Sequence, residues 1–365
     1  MKKTSGYSLA ALSALIATGC VVAPTDRALT PEPPVDASPP EQETYAAVYD
    51  PAGIEALIRQ VPEYPEWEYV YAHIQAINSQ AELGPGVPVD ATLSPTVDPE
   101  MARVTLDAYS KAMGIWSFFG VEEVPAVWTL MSELDYDWWR ARVVEVEGEQ
   151  GDLAVWDAET STMGHCSLSS QSFCGYGNPN AETGITAQYN VIGSDYRGVP
   201  NADTVAHEGV HFYQDVYSQD YYSFMPCWFV EGQANLLGKV ISGSVELGAE
   251  PYGSSDLSRT GRKLPGDESW SVEQWEELLD GYTYDQEEMQ HCTEESWNYI
   301  LGAVLFEYLY GHYSMWDIHL LTVAAAESKD WELALQDTLG LSVGELHRDL
   351  ATHLYGLFQE YQAEN

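Results

Sequence analysis

The sequence predicts an α+β fold, with a small mixed sheet followed by a helical remainder. Two observations carry that expectation. Between residues 124 and 192, short apolar and β-branched runs are separated by turn signals, as in Val124-Pro125-Ala126-Val127-Trp128-Thr129-Leu130-Met131 and Thr186-Ala187-Gln188-Tyr189-Asn190-Val191-Ile192. Runs of that kind read as strands. Elsewhere, and above all from Glu294 onward, apolar residues recur near every 3.6 positions, the period of a helix with one face turned inward. With 365 residues, 45% hydrophobic and 12% aromatic, the chain can build one large or two small domains around a sizeable core.

The first residues stand apart. Met1-Lys2-Lys3 is basic, residues 9–16 are apolar, and Ala17-Thr18-Gly19 leads into Cys20. The apolar run is far shorter than the roughly 20 residues needed to span a bilayer, so residues 1–19 read as an export signal. Small residues ahead of a cysteine resemble a bacterial lipobox. That resemblance implies lipidation at Cys20 and anchoring to the cell envelope, and Val21 after it points to the outer membrane or cell surface. Residues 20–45 carry Pro31-Glu32-Pro33-Pro34 and Pro39-Pro40 without apolar periodicity, the composition of an extended, disordered tether. Residues 46–365 are then the folded domain, read as an N-terminal lobe over 46–225 and a helical C-terminal lobe over 226–365.

Fifty-seven acidic residues face 15 basic ones, for a net charge of −42. Phosphate backbones would be repelled, which excludes nucleic acid as a partner. The acids are spread along the chain as a solvated surface, with no EF-hand spacing. Apart from Cys20 there are four cysteines, Cys166, Cys174, Cys227 and Cys292. An even number in an exported chain predicts two disulfides with three possible connectivities. The simplest pairs Cys166 with Cys174 and Cys227 with Cys292. No C-x-x-C pair offers a cysteine metal site.

After the tether, residues 51–59 and 67–77 read as helices, broken by Leu83-Gly84-Pro85-Gly86. Asp98-Pro99 opens the next helix as cap and first-turn residue. It runs to about residue 118 with Ala102, Leu106, Tyr109, Met113 and Trp116 inward. Strands follow at 124–131, 152–156 and 186–192, and residues 138–146 fit either a strand or a short helix. Asn201 is the expected cap of a helix reaching about residue 218, with Asp203 in its first turn. Met225-Pro226-Cys227 opens a helix to Gly238. A Gly/Ser/Pro-rich loop covers 241–268, a short helix 271–279, and an acidic loop holds Asp285, Glu287 and Glu288. Helices then occupy 297–310, 318–326, 331–339 and 343–361. No internal repeat and no further spanning segment is present.

Inside the helix begun at Asn201 lies His207-Glu208-Gly209-Val210-His211, an H-E-x-x-H pattern. Histidines four apart share one helix face, so both imidazoles can reach one zinc ion while Glu208 points at a water on it. Gly209 costs about 1 kcal/mol relative to alanine in a helix interior, which predicts another element packed closely there. A catalytic zinc needs three protein ligands and one open position. Glu231, 20 positions after His211 on the next helix, is placed to be the third. Asn235, one turn after Glu231, and Asp215, one turn after His211, are positional candidates for orienting the ligands.

Trp228-Phe229-Val230-Glu231-Gly232-Gln233-Ala234 has the form W-x-x-E-G-x-A, and Tyr299-Ile300-Leu301-Gly302 the form Y-x-x-G. With the H-E-x-x-H before them, these resemble the gluzincin metallopeptidases, the group of thermolysin and the aminopeptidase N type, over roughly residues 180–361. The resemblance implies a zincin-like fold and zinc-dependent hydrolysis of peptide bonds in a peptide or protein substrate. Zn2+ would be held by His207, His211 and Glu231, Glu208 would act as general base, and Tyr299 would stabilise the oxyanion. The G-x-M-E-N motif that holds the substrate amine in aminopeptidases is missing before the helix, where Gly184-Ile185-Thr186-Ala187-Gln188-Tyr189-Asn190 stands. A peptidase is therefore implied without a choice between endopeptidase and exopeptidase. The reading from a different class is a non-catalytic cell-envelope binding lipoprotein on the same scaffold; an intact Glu208 argues against it.

Overall fold

The computed structural model describes residues 49–121, 126–148, 173–180, 185–193, 202–217, 224–243, 270–284 and 297–364. The expected signal, Cys20 and the whole of the tether lie outside the described residues. So do Asn201, Cys166, Cys292, the strand expected at 152–156, most of the loop at 241–268 and the acidic loop at 285–288. Ala47–Asn365 forms one compact unit, a mixed α and β fold that is mostly helical.

Local chemistry sets the first elements. Asp50 caps α1 (Pro51–Ile58) by accepting from Gly53 N at 3.1 Å, with Pro51 in the first turn, where its missing N–H has no helical partner to lose. Helix α2 spans Trp67–Ala81. Asp98 caps α3 (Pro99–Trp116) by accepting from Glu100 N and Met101 N, both at 3.0 Å. Ala102, Tyr109, Met113 and Trp116 are buried as the spacing predicts, and Leu106 is half-buried. The remaining elements of this half are β1 (Val89–Leu93), β2 (Ala126–Ser132), α4 (Tyr136–Glu147), β3 (Phe173–Asn180) and β4 (Ile185–Ile192). The stretch readable as strand or helix is thus the helix α4.

The four strands form one sheet in the order β1-β2-β4-β3, parallel from β1 through β4 and antiparallel between β4 and β3. Helix α3 covers one face, with Tyr109 stacked on Trp128 at 5.9 Å. Helix α4 covers the other, where Trp139 and Val143 meet Val127, Met131, Ala187, Tyr189 and Val191. Every residue of β2 is buried, so it reads as a continuous apolar run, as strands covered on both faces do. Two strands differ from expectation. Outer strand β1 is largely exposed and carries Asp90 and Thr92, so its sequence lacks an apolar signal. Strand β3 contains Gly175, Gly177 and Pro179, residues that belong to edges and bulges; Cys174 lies within this strand.

The helical remainder comprises α5 (Ala202–Tyr217), α6 (Cys227–Ile241), α7 (Val272–Tyr284), α8 (Trp297–His312), α9 (Met315–Ser328), α10 (Trp331–Thr338) and α11 (Val343–Glu364). Helix α9 opens on a capping box between Ser314 and Asp317. A single core cluster runs from Ile54 in α1 to Leu354 in α11 and takes in α3, α5, α6 and α8. The two expected lobes therefore share a hydrophobic core. Nearly all of α6 is buried, between α5 and α8. A Cβ on Gly232 would sit 2.3 Å from Gly302 C, and one on Gly302 would sit 2.4 Å from Trp228 O. Only a glycine pair lets α6 and α8 meet backbone to backbone. At the other side of α6, a Cβ on Gly238 would lie 2.8 Å from His207 N. Among the described residues, no helix is long and apolar enough to cross a membrane.

Candidate metal centre

Helix α5 carries His207, Glu208 and His211 on one side and packs Gly209 against α3, where a Cβ would meet Ala112 Cβ at 3.3 Å and Met113 Sδ at 3.7 Å. This is the close neighbour that a glycine in the helix interior predicts. Helix α6, locked to α5 at Gly238, delivers Glu231. His207 Nε2 and His211 Nε2 stand 3.0 Å apart, and Glu231 Oε2 is 3.4 Å from each. A tetrahedral ion with bonds of about 2.0–2.1 Å holds its ligand atoms about 3.3 Å apart. The spacing of these three atoms matches that requirement. They form the one such cluster among the described residues, and it can hold a metal ion.

The arrangement also fixes which nitrogen faces the shared point. Gln214 Nε2 donates to Val230 O at 3.1 Å and to Gln233 Oε1 at 2.9 Å, while Gln214 Oε1 lies 2.7 Å from His211 Nδ1. That oxygen is an acceptor only, so His211 donates from Nδ1 and keeps Nε2 for the metal. Gln233 Nε2 in turn donates to Tyr310 OH at 3.0 Å. The support behind His211 is thus a buried amide chain, Gln214 to Gln233 to Tyr310, reaching from α5 through α6 to α8.

Spacing alone points to Asp215 and Asn235 for this task, and the structure gives Asn235 a different one. Asp215 is buried, with its charge felt by Tyr109 of α3. His211 Nδ1 is met by Gln214, whose stem reaches back one turn. Asn235 Nδ2 donates to Tyr299 O at 2.7 Å, so it holds the backbone of α8 rather than a histidine ring. The ring of Tyr299 stacks on His207 at 5.6 Å, and its hydroxyl hydrogen-bonds Glu231. Thus Tyr299, 68 residues beyond Glu231 in sequence, comes to the centre. Gln214, Gln233 and Tyr310 are the participants that sequence reasoning missed; a polar Gln214 inside a motif-bearing helix was the one local signal for them.

Electrostatics follow from burial. Desolvation opposes a charge on His211, but the Glu231 carboxylate, with Glu208 and Gln214, carries its pKa up to about 10. Burial would raise Glu231, yet His211 and His207 hold its carboxyl well below the ordinary range. Glu208 is pushed up by burial, pulled down by the two histidines and pushed up again by Glu231, with a net rise. Burial and the charges of Glu231 and Glu208 drive the Tyr299 phenol far above its ordinary value, so it remains a proton donor. Two imidazole nitrogens and a carboxylate this close need a cation among them, a proton or a metal.

Cys227, the first residue of α6, is disulfide-bonded; the side chains of Cys166, Cys174 and Cys292 lie outside those described. Comparison of the chain with protein-family models, curated proteins and solved structures finds no match.

Proposed function

We propose that this chain is a zinc-dependent peptidase of gluzincin type, exported and held at the bacterial envelope through Cys20. The observation that carries the reading is the convergence of His207, His211 and Glu231 at tetrahedral spacing, with Glu208 between the two histidines in the chain. Two imidazoles and one carboxylate are a donor set that suits zinc and leaves a fourth position open. Bound there, zinc supplies Lewis acidity, acidifying water and polarising a carbonyl.

The residues of the chain divide the remaining work. Glu208, with its pKa raised, takes the proton of the attacking water and passes it to the leaving amine. Tyr299, kept protonated, donates to the oxygen on which negative charge develops. For that it must exchange its bond to Glu231 for one to the substrate, a short movement for a phenol already stacked on His207. Asn235 holds the Tyr299 backbone carbonyl and so sets where that phenol starts.

Metal analysis of the intact chain, combined with digestion of a diverse peptide library, tests the reading. The wild type is expected to carry about one zinc and to cleave peptides. Glu208→Gln should keep the metal and lose cleavage by about 10²-fold or more. A wild-type chain that neither purifies with zinc nor takes it up would remove the basis of the proposal. A zinc-loaded chain that cleaves nothing would favour a binding protein on the same scaffold.

A further inference from the structure

Helix α8 continues well past Tyr299. Eight residues on, about 12 Å along the axis, it reaches Glu307, which lines a cavity of about 600 Å³ between the start of α2, the end of α8 and α11. That volume suits a small ligand or a long side chain. Four acids line it, Glu66, Glu68, Glu307 and Asp349, and no lysine or arginine does.

Glu307 is the unusual member. It is 4% exposed, and its hydrogen bond among the described residues comes from the neutral Tyr71 hydroxyl. No cation faces it there. An isolated buried carboxylate is costly unless something compensates it, and burial pushes its pKa up to about 8. On the opposite wall, burial and His312 push His353 down to about 4, so its ring is neutral. His353 Nε2 is buried with no hydrogen-bond partner. Trp67 and Tyr308 also line the space, and aromatic faces attract a desolvated cation. A metal is a poor fit: among the described residues, only His207, His211 and Glu231 converge closely enough to hold one.

We propose that this cavity binds an organic cation, an alkylammonium or guanidinium group, which pairs with Glu307 at its base and Asp349 at its mouth. Trp67 and Tyr308 take the apolar stem. The same chemistry is presented by a free small amine and by a lysine or arginine side chain of a polypeptide. The site is separate from the metal centre, and the inference does not depend on peptidase activity.

Calorimetric titration of the intact chain tests it, with n-butylammonium and N-acetyl-arginine methylamide as small cations, a short peptide with one central arginine as the polypeptide source, and n-butanol as the uncharged control. Saturable one-to-one binding of a cation, absent for butanol, is expected. Glu307→Gln keeps the size and the Tyr71 contact and should weaken binding at least about tenfold. Asp349→Asn, at an exposed position that folding tolerates, should weaken it several-fold. Tighter binding of the peptide supports a polypeptide ligand, and tighter binding of the small cations supports a free amine. No saturable binding of any cation at millimolar concentration, or unchanged affinity in both variants, overturns the proposal.

Discussion

Glu231 and Glu307 are both buried glutamates, 1% and 4% exposed, on two helices that touch. Their surroundings are opposite. Glu231 faces two imidazoles and is held ionised; Glu307 faces one phenol and is pushed up to about 8. Burial alone acts the same way on both. The difference is made by what the neighbouring helix supplies, histidines from α5 in one case and a tyrosine from α2 in the other. A buried acid therefore identifies a site only together with its partners: paired, it marks a place for a metal; unpaired, a place that lacks a cation.

The largest effect expected from this contrast comes from making the same substitution at both positions. In metal-free protein, Glu231→Gln removes one partner of a buried ion pair and should destabilise by about 3–5 kcal/mol. It also removes a ligand, so metal affinity should fall by more than the roughly 10–100-fold that losing an outer-shell partner costs. Denaturant unfolding with chelator present, and metal titration without it, read the two losses separately. Unchanged stability would mean that the histidines do not need this carboxylate.

Glu307→Gln should act in the opposite direction, and pH reveals it. The unfolded carboxyl ionises near pH 4.3, whereas the folded one keeps its proton to about 8. The stability this group contributes is therefore complete below about pH 4 and is lost as pH rises toward 8, a change of a few kcal/mol. Glutamine has no such dependence. The variant should be the more stable protein at pH 8–9, with the difference shrinking toward pH 5. Parallel unfolding profiles for the two proteins would show that Glu307 is compensated by something other than Tyr71.

The spacing of the helices that carry these acids gives the next effect. In Gly302→Ala the new methyl would sit 2.4 Å from Trp228 O, a backbone atom that cannot yield, and α6 and α8 must part. About 3 kcal/mol of destabilisation is expected, at the upper end for overpacking. Gly281→Ala, on α7 with nothing within 4 Å, should instead stabilise by up to about 1 kcal/mol. Thermal melts of the two variants decide between close packing and mere helix propensity as the reason for glycine at 302.

The sequence made the candidate metal site legible because its signals are local. His207, Glu208 and His211 share one helix, and Glu231 lies on the next. Capping at Asp98, the buried run of β2 and the helical tail were legible for the same reason. Strand β1 was not, because an exposed strand rich in Asp and Thr has no apolar signal, and β3 was hidden by two glycines and a proline. Partners that meet only in three dimensions also escaped. Tyr71 reaches Glu307 across 236 positions, and Gln233 reaches Tyr310 across 77. Asn235 drew notice by helical spacing, yet the approach of α8 decided its contact.

Gln214 tests how far that distant support matters. Its amide joins His211 Nδ1 to Val230 O and Gln233, so it orients a ring on α5 by reference to α6. Gln214→Ala leaves the three ligands in place but frees His211 to rotate and to shift its proton to Nε2, the nitrogen that must stay bare. Metal affinity should fall about 10–100-fold, a smaller loss than that for Glu231→Gln. Gln214→Glu keeps an acceptor for the imidazole N–H and gives it charge, but it sets a carboxylate oxygen against Val230 O and Gln233 Oε1 where the amide donated, so it should recover only part of the affinity that alanine loses. Competition with a chelator of known affinity measures all three proteins on one scale. If alanine at 214 holds the metal as tightly as the wild type does, neither the bond from His211 Nδ1 nor the amide chain to Tyr310 has a part in setting the site.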